Sequence, residues 1–284
     1  MSPSSTSKIS RIGANLLRVM DLLRVDELIC GYGDAKVLKG VSFSVKKGSL
    51  LGIVGPNGAG KTTLFRAITR ILKPWKGEIF YCGKDLNRIS RRDLAREVAV
   101  LPQILDISFS FSVEQFISMG RFPHLKKFQR QSRHDLEVIE KAMALCDVLA
   151  FRERRISELS GGERQRAILA QGFAQEPRLL LLDEPTAHLD IGHQVEILDL
   201  IRRLNRRGDL TVIMVLHDLN LASEYCDRLI LLKEGRIFKE GSPQEVLTFE
   251  NIEKVYNTVV IVKENPISLK PYILLVSEEE LKTK

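Results

Sequence analysis

Long apolar runs are missing from this chain. None approaches the ~18–20 residues needed to span a bilayer, so no transmembrane helix is expected. The opening stretch, MSPSSTSKISRIGANLLRVM, has no apolar run long enough for a secretory signal, and the chain is expected to stay in the cytoplasm. Paired cysteines are missing too. Cys30, Cys82, Cys146 and Cys226 lie far apart with no C-x-x-C and no clustered histidines, which fits neither a zinc site nor a disulfide framework and predicts buried, reduced, structural thiols. There is no internal repeat, no low-complexity segment, no RNA-recognition motif and no basic aromatic platform. The formal charge of +7 therefore gives no reason to expect a nucleic-acid partner. Lysines and arginines are dispersed, with modest clusters at Arg91-Arg92 and Lys126-Lys127, and charge alone decides nothing.

What is present is the composition of an ordinary globular protein: 284 residues, 44% hydrophobic and 28% charged, enough for one compact domain with insertions or for two. Residues 1–22 read as a flexible leader rich in Ser and basic side chains. In Val41-Ser42-Phe43-Ser44-Val45, apolar and hydroxyl residues alternate with period two, as in a half-buried strand. Leu50-Leu51-Gly52-Ile53-Val54 is a continuous apolar run of the kind found in strands buried on both faces. Three more runs follow at Leu179–Leu182, Thr211–Leu216 and Leu229–Leu232, separated by the helical text Glu163–Gln175 and Val195–Arg206. Strands alternating with helices predict an α/β fold with a parallel sheet covered on both faces. Residues 86–157 read as a helical insertion. The extension 246–284 carries a helical stretch and then Val259–Val262 and Tyr272–Val276, which suit a small β-hairpin around Pro266.

Gly55-Pro56-Asn57-Gly58-Ala59-Gly60-Lys61-Thr62-Thr63 fits G-x-x-x-x-G-K-[ST], between a buried strand and the helical text Leu64–Leu72. By composition alone the fixed positions would match in about one such chain in a hundred; the strand–loop–helix context makes a ligand-free turn rarer still. Glycines let successive backbone N–H groups turn inward around phosphate oxygens, and the helix start adds free N–H groups and its positive dipole end. Lys61 is expected to reach the β- and γ-phosphates of a nucleotide and Thr62 to ligate Mg²⁺.

The run Leu179–Leu182 ends in Asp183-Glu184-Pro185. A parallel strand that delivers two acids at its carboxyl end aims them at the crevice where such sheets bind ligands. Asp183 suits the Mg²⁺ shell, and Glu184 suits orienting or deprotonating the attacking water; without the phosphate loop the pair would read equally well as a solvated strand end. His217 ends the next apolar run, where it is either structural or within reach of the same γ-phosphate. Leu159-Ser160-Gly161-Gly162-Glu163 is a second glycine-rich helix start, with Ser160 as N-cap and Glu163 in the capping-box position. It reads as an ordinary capped helix or as a second anion site.

Together these segments resemble the ATP-binding subunit of ABC transporters over roughly residues 23–245. A chance match to LSGGE is on the order of one in a thousand, and it lies between the phosphate loop and the acidic strand, in the family's order. The resemblance implies a P-loop NTPase (RecA-like) core with an antiparallel β subdomain and an inserted α-helical subdomain at about 86–157. It implies that Ser160, Gly161, Gly162 and Glu163 meet ATP held by a second copy of the chain in a head-to-tail dimer. It makes Glu184 the catalytic base, His217 the switch histidine, and Gln103 the residue that joins core to insertion and helps hold Mg²⁺. Asp190 becomes a partner-touching D-loop residue and Tyr32 the aromatic that stacks on adenine. Ala187 departs from the more usual Thr or Ser.

Ser112-Val113-Glu114-Gln115-Phe116, Gly120-Arg121-Phe122-Pro123-His124 and His188-Leu189-Asp190-Ile191 resemble importers of iron–siderophore complexes, haem and cobalamin. That implies an integral-membrane permease as partner, a substrate-binding protein as indirect partner, and a place on the cytoplasmic face of the cell membrane. The competing readings are an ABC exporter subunit, a soluble ABC ATPase acting on ribosomes or DNA, and a nucleotide kinase. The soluble types usually carry two cassettes or long coiled coils, which are not present here, and a kinase has no use for the signature segment.

Overall fold

The computed structural model describes residues 21–103, 110–207, 210–277 and 279. Residues 1–20 of the leader thus lie outside the described residues, and Asp21 and Leu22, read with the leader, already belong to the first strand. Leu22 is buried there, because the apolar pair Leu22-Leu23 has a sheet to pack into.

Strand β1 (Asp21–Tyr32) turns through Gly33 into β2 (Ala35–Lys46). Val41, Phe43 and Val45 are buried while Ser42 faces out, as the period-two alternation requires. Then come β3 (Leu50–Val54), helix α1 (Lys61–Ile68), β4 (Lys76–Tyr81) and the short β5 (Lys84–Asp85). The strands in the order β2-β1-β4-β5 form an antiparallel sheet. Cys30, Cys146 and Cys226 are buried free thiols, but Cys82 is exposed: it occupies the turn between β4 and β5 rather than a strand.

Helix α2 (Arg91–Glu97) leads into β6 (Val98–Leu101), followed by α3 (Val113–Ser118), α4 (Arg133–Leu145), α5 (Gly161–Ala174), β7 (Leu179–Asp183), α6 (Ile191–Arg207), β8 (Thr211–Val215), α7 (Leu219–Tyr225), β9 (Arg228–Lys233) and β10 (Arg236–Gly241). The six-stranded sheet runs β10-β9-β3-β8-β7-β6, parallel throughout except for β10. Residues 98–101, inside the range read as inserted helices, are thus the edge strand of the core sheet. A four-residue run, VAVL, is too short to separate strand from helix by period.

Adjacent residues of the buried strands divide between two cores. Leu180 and Leu182 of β7, with Val212 and Met214 of β8, face α3–α7. Leu179 and Leu181, with Ile213 and Val215, face α1 and the antiparallel sheet. Both faces being dry, every position must be apolar, and each leucine fully buried this way is worth about 1.5–3 kcal/mol.

Gly120–His124 has a physical role of its own. The Arg121 guanidinium is 2% exposed and donates to Asp135 Oδ1 at 2.9 Å, to the Ala174 carbonyl at 2.8 Å and to Glu176 at 2.7 Å. A Cβ on Gly120 would lie 2.2 Å from the Gln171 carbonyl. His124 Nε2 meets the Gln175 carbonyl at 2.9 Å. The motif therefore fastens α4 to the end of α5.

After β10 come α8 (Pro243–Val246), α9 (Phe249–Tyr256) and the strands β11 (Val260–Glu264) and β12 (Pro271–Leu275). β11 and β12 pair antiparallel around Pro266. Val246, Ile252, Val255, Val260 and Ile273 are buried in the same core as the sheet face covered by α3–α7.

Candidate nucleotide site

In a parallel sheet all carboxyl ends face one way. Four neighbouring strands here deliver chemistry at that edge: Gly55 follows β3, His217 lies two residues past β8, Asp183 ends β7 with Glu184 next, and Gln103 lies two residues past β6.

The loop 55–60 needs its glycines. Gly55 has φ 149°, and a Cβ there would come within 2.3 Å of the Leu232 carbonyl oxygen on β9; Gly60, at φ 105°, would put one 2.6 Å from the Leu38 side chain. Gly60 is also the N-cap of α1 and provides no side-chain acceptor. The first-turn N–H groups of α1 are consequently left for a ligand. The Lys61 ammonium donates to the Gly55 and Pro56 carbonyls at 2.7 and 3.1 Å. Burial lowers its pKa, and Glu184 and Asp183 partly oppose that.

Asp183 is buried. Its Oδ2 accepts from the Thr62 hydroxyl at 3.1 Å, while Oδ1 has no hydrogen-bond partner among the described residues. Burial holds the carboxyl above its ordinary pKa; Thr62 and Lys61 pull it down and Glu184 pushes it further up. Glu184 sits in the left-handed region at φ 55°, a conformation costing on the order of 1–3 kcal/mol for a side-chain-bearing residue. Its N–H donates to the Val215 carbonyl at 3.1 Å, which holds it there. The Glu184 carboxylate accepts from Gln103 Nε2 at 2.5 Å and pairs with His217 Nε2 through its other oxygen. The structure thus brings Lys61, Thr62, Gln103, Asp183, Glu184 and His217 together.

Tyr32 ends β1; its hydroxyl accepts from Arg66 at 3.1 Å, and the Arg66 guanidinium stands 5.8 Å from its ring centre. Arg66 belongs to α1 and was not singled out in the sequence.

Residues 159–163 stand apart. Ser160 caps α5, Glu163 Oε2 accepts the Ser160 N–H at 2.8 Å, and the Ser160 hydroxyl accepts the Glu163 N–H at 3.3 Å, which completes the capping box. The Ser160 N–H and, next, the Ser160 side chain, both bonding the carboxylate, hold the Glu163 carboxyl below its usual range. Among the described residues, no hydrogen bond links this segment to 55–63. A Cβ on Gly162 would meet the His193 ring at 2.1 Å. That ring is held by Asp190, whose carboxylate accepts from His193 N–H at 2.9 Å and meets Nδ1 at 2.8 Å. Asp190 and the signature segment are thus joined through His193. The D-x-x-H spacing before a helix is the signal that could have found it.

The family model described as ABC transporter matches residues 38–187. The chain belongs to this family. It is an ATP-binding subunit of the ABC type and an ATPase. The subunit is 38% identical to the iron(3+)-hydroxamate import ATP-binding protein FhuC of Bacillus subtilis over 93% of its own length and 100% of the relative's. It is 36% identical to the ferric enterobactin transport ATP-binding protein FepC of Escherichia coli over 89% and 93%. It is 42% identical to the B. subtilis ABC transporter ATP-binding protein YvrA, but that match spans 59% of YvrA. Among solved structures, the subunit resembles an inward-facing ABC transporter assigned to the metal-chelate type, with TM-score 0.81 at 26% identity over 92% of this chain and 99% of that one. No helix among the described residues of the subunit is long and apolar enough to cross a membrane.

Proposed function

We propose that the chain drives import of a metal chelate (an iron–siderophore complex, haem or cobalamin) by hydrolysing ATP on the cytoplasmic face of the membrane, bound to a permease that a substrate-binding protein feeds. The observation that carries this reading is the end-to-end match to a hydroxamate importer's ATP-binding protein. Two copies act as a head-to-tail pair. The uncapped start of α1 grips the triphosphate from one side, and Ser160, Gly161 and Gly162 of the other copy close over it. Asp190 lines the seam and Tyr32 stacks on adenine. The separation of 159–163 from the phosphate loop within one chain supports a contact made in trans.

Mg²⁺ suits this site. Asp183 Oδ1 is a buried acceptor without a partner among the described residues, Thr62 brings a hydroxyl to the same carboxylate, and hard oxygen donors are what Mg²⁺ selects. Thr62, Gln103 and Asp183 would hold it, and once bound it neutralises phosphate charge. Glu184 takes a proton from the attacking water as the water oxygen bonds to the γ-phosphorus and the bridging oxygen leaves with ADP. Gln103 and His217, both already on the Glu184 carboxylate, orient that base and sense the γ-phosphate. ATP binds the closed pair more tightly than the open one, and that difference is the whole source of the stroke. Phosphate release removes the bridge, and the pair opens.

The test is reconstitution with the neighbouring permease in vesicles. Stimulation of ATP turnover by a binding protein loaded with ferric chelate, haem or cobalamin is the expected outcome. Stimulation by sugar or amino-acid systems alone would overturn the substrate class.

A further inference from the structure

Residues 246–277 of the extension approach two parts of the sheet's carboxyl edge at once. On one side, Tyr256 packs against the core that contains Val54, the residue before the phosphate loop, and burial raises its hydroxyl to about 12, an effect that the neighbouring Gly55 backbone eases. On the other side, β12 is bonded to α7. Asn220 pairs with the Ile273 backbone as a neighbouring strand would, its Oδ1 accepting the Ile273 N–H at 2.7 Å and its Nδ2 donating to the Ile273 carbonyl at 3.2 Å. The Ser223 hydroxyl donates to the Pro271 carbonyl at 2.7 Å, and Lys270 Nζ to the Glu224 carbonyl at 2.6 Å. Helix α7 is capped by Asp218, whose carboxylate accepts the N–H groups of Asn220 and Leu221 at 2.7 and 3.0 Å. Asp218 directly follows His217.

We propose that residues 246–277 form a positioning brace that sets the spacing between the phosphate loop and His217, through Tyr256 beside Gly55 and through Asn220 and Ser223 on β12. The γ-phosphate has to fit between those two elements, and its alignment with Glu184 depends on their separation. The contact residues Ile252, Val255, Val260 and Ile273 lie in the core shared with β3 and β8, so the brace is a rigid part of that core. The inference rests on the role proposed for His217 and is independent of the transported substrate.

Steady-state ATP turnover by the full chain tests it. Asn220→Asp keeps the acceptor for Ile273 N–H and loses the donor to its carbonyl. It should lower kcat roughly tenfold with KM for ATP within about twofold, since small misplacements at a reacting centre cost rate before binding. Tyr256→Phe should instead raise KM for ATP, by loosening the loop at its root. Ile267→Ser, at the exposed hairpin tip and outside every bond named here, should change neither. Wild-type kcat and KM in both Asn220→Asp and Tyr256→Phe, with only a lower Tm, would reduce the extension to a cap and overturn the brace. Should Tyr256→Phe not fold, Asn220→Asp carries the test alone. His217→Ala run beside them separates the two readings: full turnover there removes the role of His217, whereas lost turnover there with a silent Asn220→Asp removes only the brace.

Discussion

The Thr62 hydroxyl donates to Asp183 Oδ2 at 3.1 Å, joining the phosphate loop to a strand 121 residues further along the chain. Asp183 is the cost of that arrangement: burial keeps its carboxyl above the ordinary pKa, and its second oxygen has no partner among the described residues. For an acid whose folded pKa is raised, the native state binds the extra proton, so stability falls as pH rises from the ordinary carboxylate range through the raised value. Asp183→Asn removes the buried charge and keeps an acceptor for Thr62. Without nucleotide, its Tm at neutral pH should therefore exceed wild type, by about 2 °C for each ~0.5–1 kcal/mol recovered. Turnover should be lost, as should the gain in Tm that MgATP brings to the wild type. Thermal melts with and without MgATP check both signs.

Arg121 should be far more damaging to stability than to chemistry. Arg121→Leu leaves the Asp135 carboxylate buried without its cation, and breaking a buried pair from one side costs about 3–5 kcal/mol. For Asp135, burial pushes the pKa up, but the Ser132 hydroxyl and N–H and the Arg121 guanidinium outweigh it and hold the group at about 2. A depressed acid contributes stability that is present above the ordinary carboxylate range and fades as pH falls toward 2. Urea unfolding should accordingly show a lower midpoint in the variant at neutral pH, and a wild-type advantage that shrinks below pH 4.

Gly162 faces the His193 ring at a distance that admits no Cβ. In Gly162→Ala the ring has to swing away and give up its pair with Asp190. ATP binding by the phosphate loop should survive, with turnover down by roughly 10² or more, because Asp190 and residues 160–163, which the proposed pair brings to the shared nucleotide, are displaced together. Adding His193→Ala vacates the space, so the double variant should be less impaired than the two single losses predict by addition. A double-mutant cycle on kcat measures that coupling, and strict additivity would mean the ring and the glycine act separately.

The carboxyl edge of the parallel sheet was legible because β3, β7 and β8 are dry on both faces and therefore spell unbroken apolar runs leading to Gly55, Asp183 and His217; the acid pair and His217 drew notice only beside the phosphate loop. The hairpin β11–β12 was legible for a related reason, two β-rich segments separated by Asn265-Pro266. Residues 98–101 were hidden by shortness, and Leu22 by the mixed text Leu16-Leu17-Arg18-Val19-Met20 before it, which marks no strand start. Cys82 was misread because a turn thiol and a core thiol are the same letter. The further relationships depend on distant partners. Arg121 finds Asp135 and Glu176, 14 and 55 residues away, and Asn220 pairs with Ile273, 53 residues further on, so neither bond leaves a local pattern. Residues 159–163 read as a capped helix or as an anion site; the capping box is present, and the anion-site reading belongs to the proposed pair of chains.

The account stands on two chains sharing each ATP, and one measurement addresses that directly: the molar mass of Glu184→Gln by light scattering, with and without MgATP. Losing the base should slow hydrolysis by at least about 10²-fold and trap the bound state, so the mass should double on adding MgATP and fall back when nucleotide is removed. A variant that demonstrably binds MgATP yet keeps the mass of one chain at concentrations where the wild type hydrolyses ATP would contradict the account.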